Sequence, residues 1–212
     1  MSSSYWFIVA FVLINIFLDL APACSVERVV SEGMAKGVLG AQGAIVGTLA
    51  ADLIWCFLAV SALFTVMVLI PSITYWVKFI GLAGLLWLLV RQLRIAILGR
   101  GVHPIAAAAP TSFRTAVRSS FVQQMSHPTS MVFFLAVLSV FAGSRFGWEY
   151  RMIDLGLFAV VLEWPVLALY AHLGSETARA SRRAGPKSIG EAVAGLALVT
   201  ATGLVAAPSK TL

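Results

Sequence analysis

Charge is scarce in this sequence. Only 11% of its 212 residues are Asp, Glu, Lys or Arg, where a water-soluble domain carries about a quarter. The shortage excludes an ordinary soluble fold. Hydrophobic residues make up 60% of the chain and mean hydropathy is +0.94, so the apolar side chains cannot all hide in one water-soluble core. Cysteine is nearly missing too. Cys24 and Cys56 stand far apart, with neither CxxC nor zinc spacing, which excludes a disulfide framework. HExxH, GxSxG, Walker A and Rossmann patterns are all absent. Nothing therefore marks an enzyme, and no cofactor or resident metal is expected.

What remains is long apolar runs. The chain reads as an all-α membrane protein with six transmembrane helices. The spans fall near 4–21, 40–66, 75–98, 117–142, 153–173 and 189–207, each long enough to cross a bilayer core. The first run, Tyr5 to Leu18, has no Lys or Arg before it, and Asp19 interrupts it near its end. It reads as a retained span rather than a cleaved signal.

The net charge of +6 does not point to nucleic acid, because the basic residues cluster in short connections. Arg28 and Lys36 lie between spans one and two. Arg91, Arg94, Arg100, Arg114 and Arg118 flank the third connection, and Arg179, Arg182, Arg183 and Lys187 the fifth. The opposite side receives Lys78, Arg145, Arg151 and Lys210. The positive-inside rule then puts both termini outside and the basic linkers in the cytoplasm.

The two halves resemble each other. Pro22 precedes a mid-span acid in "ADLIW" at 51–55, and Pro128 precedes another in "LEWP" at 162–165. Three spans per half is an odd number, so the second half would enter the membrane upside down. The expectation is two inverted three-helix repeats, residues 1–98 and 117–212, joined by a basic cytoplasmic linker at 99–116.

The residues that break the apolar pattern are the candidate site. Asp52 lies near the middle of span two and Glu163 at matching depth in span five. A carboxylate there costs about 2.5–3.5 kcal/mol on insertion scales, so such a group usually faces a cavity. Span four is stranger. From Ser119 to Ser144 it has no charged residue, yet "SFVQQMSHPTSMVFF" at 120–134 holds Gln123, Gln124, His127 and Pro128 in its midst. Pro22 and Pro128 each remove a backbone donor and block the preceding helical turn. Broken helices are tolerated in membranes where backbone lines a cavity, which is where transporters bind polar solutes. Asp52, Glu163, Pro22, Gln123, Gln124, His127, Pro128 and Trp164 are therefore the candidates for substrate binding or proton coupling. The bland reading makes them helix contacts and a simple proline kink.

These segments also resemble a known family, the LysE/RhtB amino-acid exporters of bacteria. The family's PGP motif, basic-Gly linker and span-two G…GD correspond to "PACSVERVVSEGMAKG" at 22–37, Gly47 and Asp52. Its third-span pattern resembles "GLAGLLWLLVRQLR" at 81–94, and its F..G…NPK…FF resembles "FRTAVRSSFVQQMSHPTSMVFF" at 113–134. Its span-five acid resembles Glu163 before Trp164. Here PGP is Pro22-Ala23-Cys24, and Asn-Pro-Lys is His127-Pro128-Thr129. The resemblance implies a multi-pass exporter in the bacterial inner membrane, driven by the proton gradient, with an amino acid or analogue as its small-molecule partner. It implies no nucleic acid and leaves a homo-oligomer open. Two alternatives stand beside it: a divalent-metal exporter using Asp52, His127, Glu163 and a cysteine, and a membrane partner protein that transports nothing.

Overall fold

The computed structural model describes residues 2–20, 24–98, 111–141 and 148–184. Every regular element among them is helical: α1 (Ser2–Asp19), α2 (Cys24–Leu69), a 3₁₀ turn (Pro71–Ile73), α3 (Thr74–Leu98), α4 (Phe113–Met125), α5 (Thr129–Phe141) and α6 (Trp148–Ala184). The sixth expected span, near 189–207, lies outside the described residues. Two helices, Ser25–Leu69 within α2 and Tyr150–Ala180 within α6, are long and apolar enough to cross a membrane. The bent pair α4–α5 supplies a third crossing if counted as one span. At 25 residues α3 reaches about 37 Å, more than the ~30 Å bilayer core. The all-α membrane class expected from composition is what the chain adopts.

Large apolar side chains cover the outside of the bundle, as lipid contact allows. Among the described side chains of α3, one stripe, Gly81, Leu85 and Leu88, is buried. Trp76, Phe79, Ile80, Leu86 and Trp87 point outward. The stripe packs on α5, where Gly84 faces Ala136 and Gly81 faces Ser139. Such small residues let membrane helices approach closely.

α2 is one helix by hydrogen bonding but two by direction. Gly37 breaks it with φ 76 and ψ −177, a region open essentially to glycine alone. Contacts along α4 reveal the consequence. Before the break, Arg28 meets Ser119 and Lys36 meets Thr111, so the numbers run in opposite senses. After it, Gly43 lies against Phe113 and Ala116, and Gly47 against Val117 and Phe121. Asp52 then meets Gln124, and the numbers rise together. The two arms of α2, 24–36 and 38–69, thus run opposite ways along α4. Residues 24–36 were expected to be a solvated connection. They form a packed helical arm instead, with Val26, Val29, Val30 and Met34 buried against Val166, Leu167, Tyr170 and Ala171 of α6. The crossing is tight because glycine is present on both sides: a Cβ at Gly33 would press on the Ala171 carbonyl, and one at Gly174 on the Val30 carbonyl.

Gly37→Ala tests the turn. Nothing lies within 4 Å of the added Cβ, so its effect is backbone strain alone, about 1–3 kcal/mol. The expected outcome is a lowered melting midpoint in detergent without loss of expression. An unchanged midpoint would mean that the two arms tolerate another connection.

Candidate functional site

The expected break in span four is present. α4 ends at Met125, capped by Ser126, whose N–H bonds back to the Val122 carbonyl at 3.0 Å. α5 begins at Thr129, after a bend of 67°. Pro128 supplies no N–H, so the helical ladder cannot pass through it unbroken. The negative end of one helix dipole and the positive end of another therefore meet at the same place.

Polar side chains gather beside this break. The Gln124 amide donates to both carboxylate oxygens of Asp52, at 2.8 and 3.0 Å, and lies 3.0 Å from the Ser130 hydroxyl. Asp52 is 3% exposed. The Trp55 indole N–H reaches the Gln124 carbonyl at 3.4 Å. From α6, Glu163 lies close enough to Asp52 to act on it electrostatically. Asp19, at the end of α1, is close enough to act electrostatically on both. Its Oδ2 is buried without a partner among the described residues. Asp52 of α2 and Gln124 of α4 thus meet beside the break, with Glu163 of α6 and Asp19 of α1 within electrostatic reach.

The helical register explains who takes part. Trp55 is three positions after Asp52 and shares its face. Trp164 directly follows Glu163 and is rotated about 100° away; it is 50% exposed on the outer surface. Of the eight candidates, Asp52, Glu163 and Gln124 come together. His127, half-buried, turns its Nδ1 to the Gln123 carbonyl at 2.8 Å. Pro128 forms the break, and Trp164 stands off the acids. Pro22 lies outside the described residues. Sequence reasoning gave less weight to Asp19, although the stripe Phe11, Asn15, Asp19 at four-residue spacing marks one inward face of α1. Phe11 and Asn15 on it are wholly buried. Thr111, Ser119, Thr48 and Ser120 were not picked out at all.

Two different closures lie on either side of the pocket. Toward the start of α1 and α6, Phe11 packs edge-on to Phe141 at 5.3 Å and stacks on Phe158 at 6.1 Å. Toward the start of α4, Glu32, Arg28 and Lys36 of the first α2 arm bind Thr111 and Ser119. Among the described residues no three His, Cys, Asp or Glu side chains are arranged to hold a metal ion.

A broken apolar helix with buried acids from neighbouring helices is the arrangement by which membrane carriers hold polar solutes. The family profile of LysE type translocators matches residues 16–207, nearly the whole chain, broken helix and acid-bearing helices included. The chain belongs to the LysE type translocator family. It is therefore a multi-pass membrane protein of a family that exports small molecules. No solved structure matches it.

Proposed function

We propose that this translocator exports an amino acid or similar small zwitterion across the bacterial inner membrane, coupled to the proton gradient. The observation that carries this reading is the buried Asp52 held by Gln124 beside the broken helix, with Ser130 next to the same amide and Glu163 within electrostatic reach. A zwitterion has one ammonium and one carboxylate. The ammonium suits the acid cluster. The carboxylate suits the N-terminal end of α5, where the helix dipole favours an anion. A proton on Asp52 or Glu163 is the natural coupling proton, since an arriving ammonium favours the ionised carboxylates and releases it.

The opposed running of the two α2 arms supports the repeat scheme. α1 with the first arm of α2 would form one broken span, as α4 with α5 forms another. The second arm of α2 and α6, which carry Asp52 and Glu163, would then be counterparts. Residues 1–98 and 117–212 would be the two inverted repeats, with 99–116 as the cytoplasmic linker and both termini outside.

The test is export from cells loaded with dipeptides. Overexpression is expected to raise one or more amino acids in the medium, and collapse of the proton gradient to abolish the rise. Unchanged extracellular amino acids of every type would overturn the proposal. His127→Asn should retain export, because the His127 ring is tied to its own helix through the Gln123 carbonyl, a contact that an Asn amide can also make.

A further inference from the structure

At the end of the bundle where α4 begins, a second polar cluster is built into the packing. Glu32 is wholly buried. Its Oε2 accepts from Lys36 Nζ at 2.7 Å and its Oε1 from the Thr111 hydroxyl at 2.9 Å. Lys36 also donates to the Thr111 carbonyl and to its hydroxyl. Arg28 is held differently. Its Nη2 donates to the neutral Ser119 hydroxyl at 2.7 Å and stands 3.8 Å from Glu32 Oε1. Its Nε is buried with no partner among the described residues, yet the side chain is 29% exposed. One carboxylate thus serves two cations, and the short bond goes to Lys36. Arg28 thus keeps a buried, unsatisfied Nε, while the rest of its side chain is partly exposed.

A buried donor left unpaired is unfavourable, more so when it is charged. A guanidinium offers its donors as a planar fork that fits a carboxylate with two parallel bonds. We infer that Arg28 is a carboxylate-binding residue, and that Glu32 partly occupies its place until a solute carboxylate arrives. The neighbouring interior extends the donor set. Thr48 and Ser120 sit one turn before Asp52 and Gln124 on the same faces, both buried, with hydroxyls unpartnered among the described residues. A small carboxylate held at Arg28 therefore has further donors ahead of it on the way to the Asp52 pocket. The ligand class is a small monocarboxylate, free or as half of a zwitterion. The inference rests on the export reading for its purpose but not for its chemistry.

The test uses the purified full chain in lipid nanodiscs, with melting followed at rising probe concentration and constant ionic strength. The probes are propionate, L-alanine and propylamine. Propionate and L-alanine should raise the midpoint of the wild type, whereas any shift by propylamine reports the acid cluster at Asp52 instead. Arg28→Gln should abolish the propionate shift. Glu32→Gln should lower the half-saturating propionate concentration several-fold, because the resident carboxylate no longer competes. Lys36→Gln should raise it, because Glu32 is left with Arg28 as its only cation; this variant decides the matter if Glu32→Gln does not fold. The inference is overturned if the wild type ignores propionate, if Arg28→Gln keeps the wild-type response, or if Lys36→Gln leaves the half-saturating concentration unchanged. The readout is binding, so an absence of amino-acid export would leave it standing. Loss of the Arg28 site would equally leave export by the Asp52 pocket open to measurement.

Discussion

Asp52→Asn is expected to reduce proton-driven export to the level of vesicles without the protein, while the amount of inserted, folded protein stays the same. The two halves of the prediction have separate causes. An ionisable group inside a spanning helix opposes insertion by about 2.5–3.5 kcal/mol, and a neutral amide does so less, so insertion should not suffer. Packing should hold as well, since Asn has the same shape and keeps one oxygen to accept the Gln124 bond now made at 2.8 Å. What disappears is the ionisable carboxyl to which the proposed mechanism gives the coupling proton. An amide neither binds nor releases a proton, so the coupling step has no carrier. Glu163→Gln should give the same loss by removing the other half of the pair. Export by Asp52→Asn at more than a small fraction of the wild-type rate would show that the proton travels elsewhere. Passive exchange of solute across proteoliposomes separates the outcomes further. If Asp52 serves coupling alone, exchange survives in Asp52→Asn; if it also binds the ammonium, exchange is lost too.

The break that positions this pair was legible in the sequence, because proline in an uncharged apolar run leaves the helix no way to continue its ladder. Asp52 and Glu163 were legible for a related reason: a buried acid in a span is unfavourable unless something uses it. Other features were hidden by the same style of reasoning. Arg28, Glu27, Glu32 and Lys36 made residues 24–36 read as a solvated connection. Their spacing carried the opposite message. Glu32 is four positions from both Arg28 and Lys36, the separation at which side chains pair on a helix. Val26, Val29, Val30 and Met34 meanwhile form an apolar stripe of helical period. Composition suggested a loop, while period suggested a helix, and burial against α6 followed period. Trp164 shows a milder version. Adjacency to Glu163 suggested a shared role, but neighbours along a helix point about 100° apart. The reversal at Gly37 could not be read from one sequence, since a glycine in a small-residue stretch also serves plain helix packing.

Gly47→Ala is expected to cause a large loss of stability. Gly47 lies against α4 so closely that an added Cβ would run into the Val117 carbonyl, with the Phe121 backbone nitrogen 3.1 Å away. Both are backbone atoms of a packed helix and have no rotamer by which to move aside. Relief therefore requires the two helices to separate. Overpacking of a core ordinarily costs about 1–3 kcal/mol, and here the displaced object is a whole helix. Separation would also pull Gln124 from Asp52, since those residues lie about one turn further along the same two helices. Function should fall with stability, in contrast to Asp52→Asn, where only function falls. Gly84→Ala is the control. Its Cβ would meet only the Ala136 methyl, at 3.3 Å, and α3 sits on the outside of the bundle, where a small shift is easily absorbed. The measurement is the melting midpoint and monodispersity of each variant in detergent, read beside export. A Gly47→Ala protein that melts with the wild type would mean that α2 and α4 do not meet at Gly47, and the geometry joining Asp52 to the broken helix would fail with it.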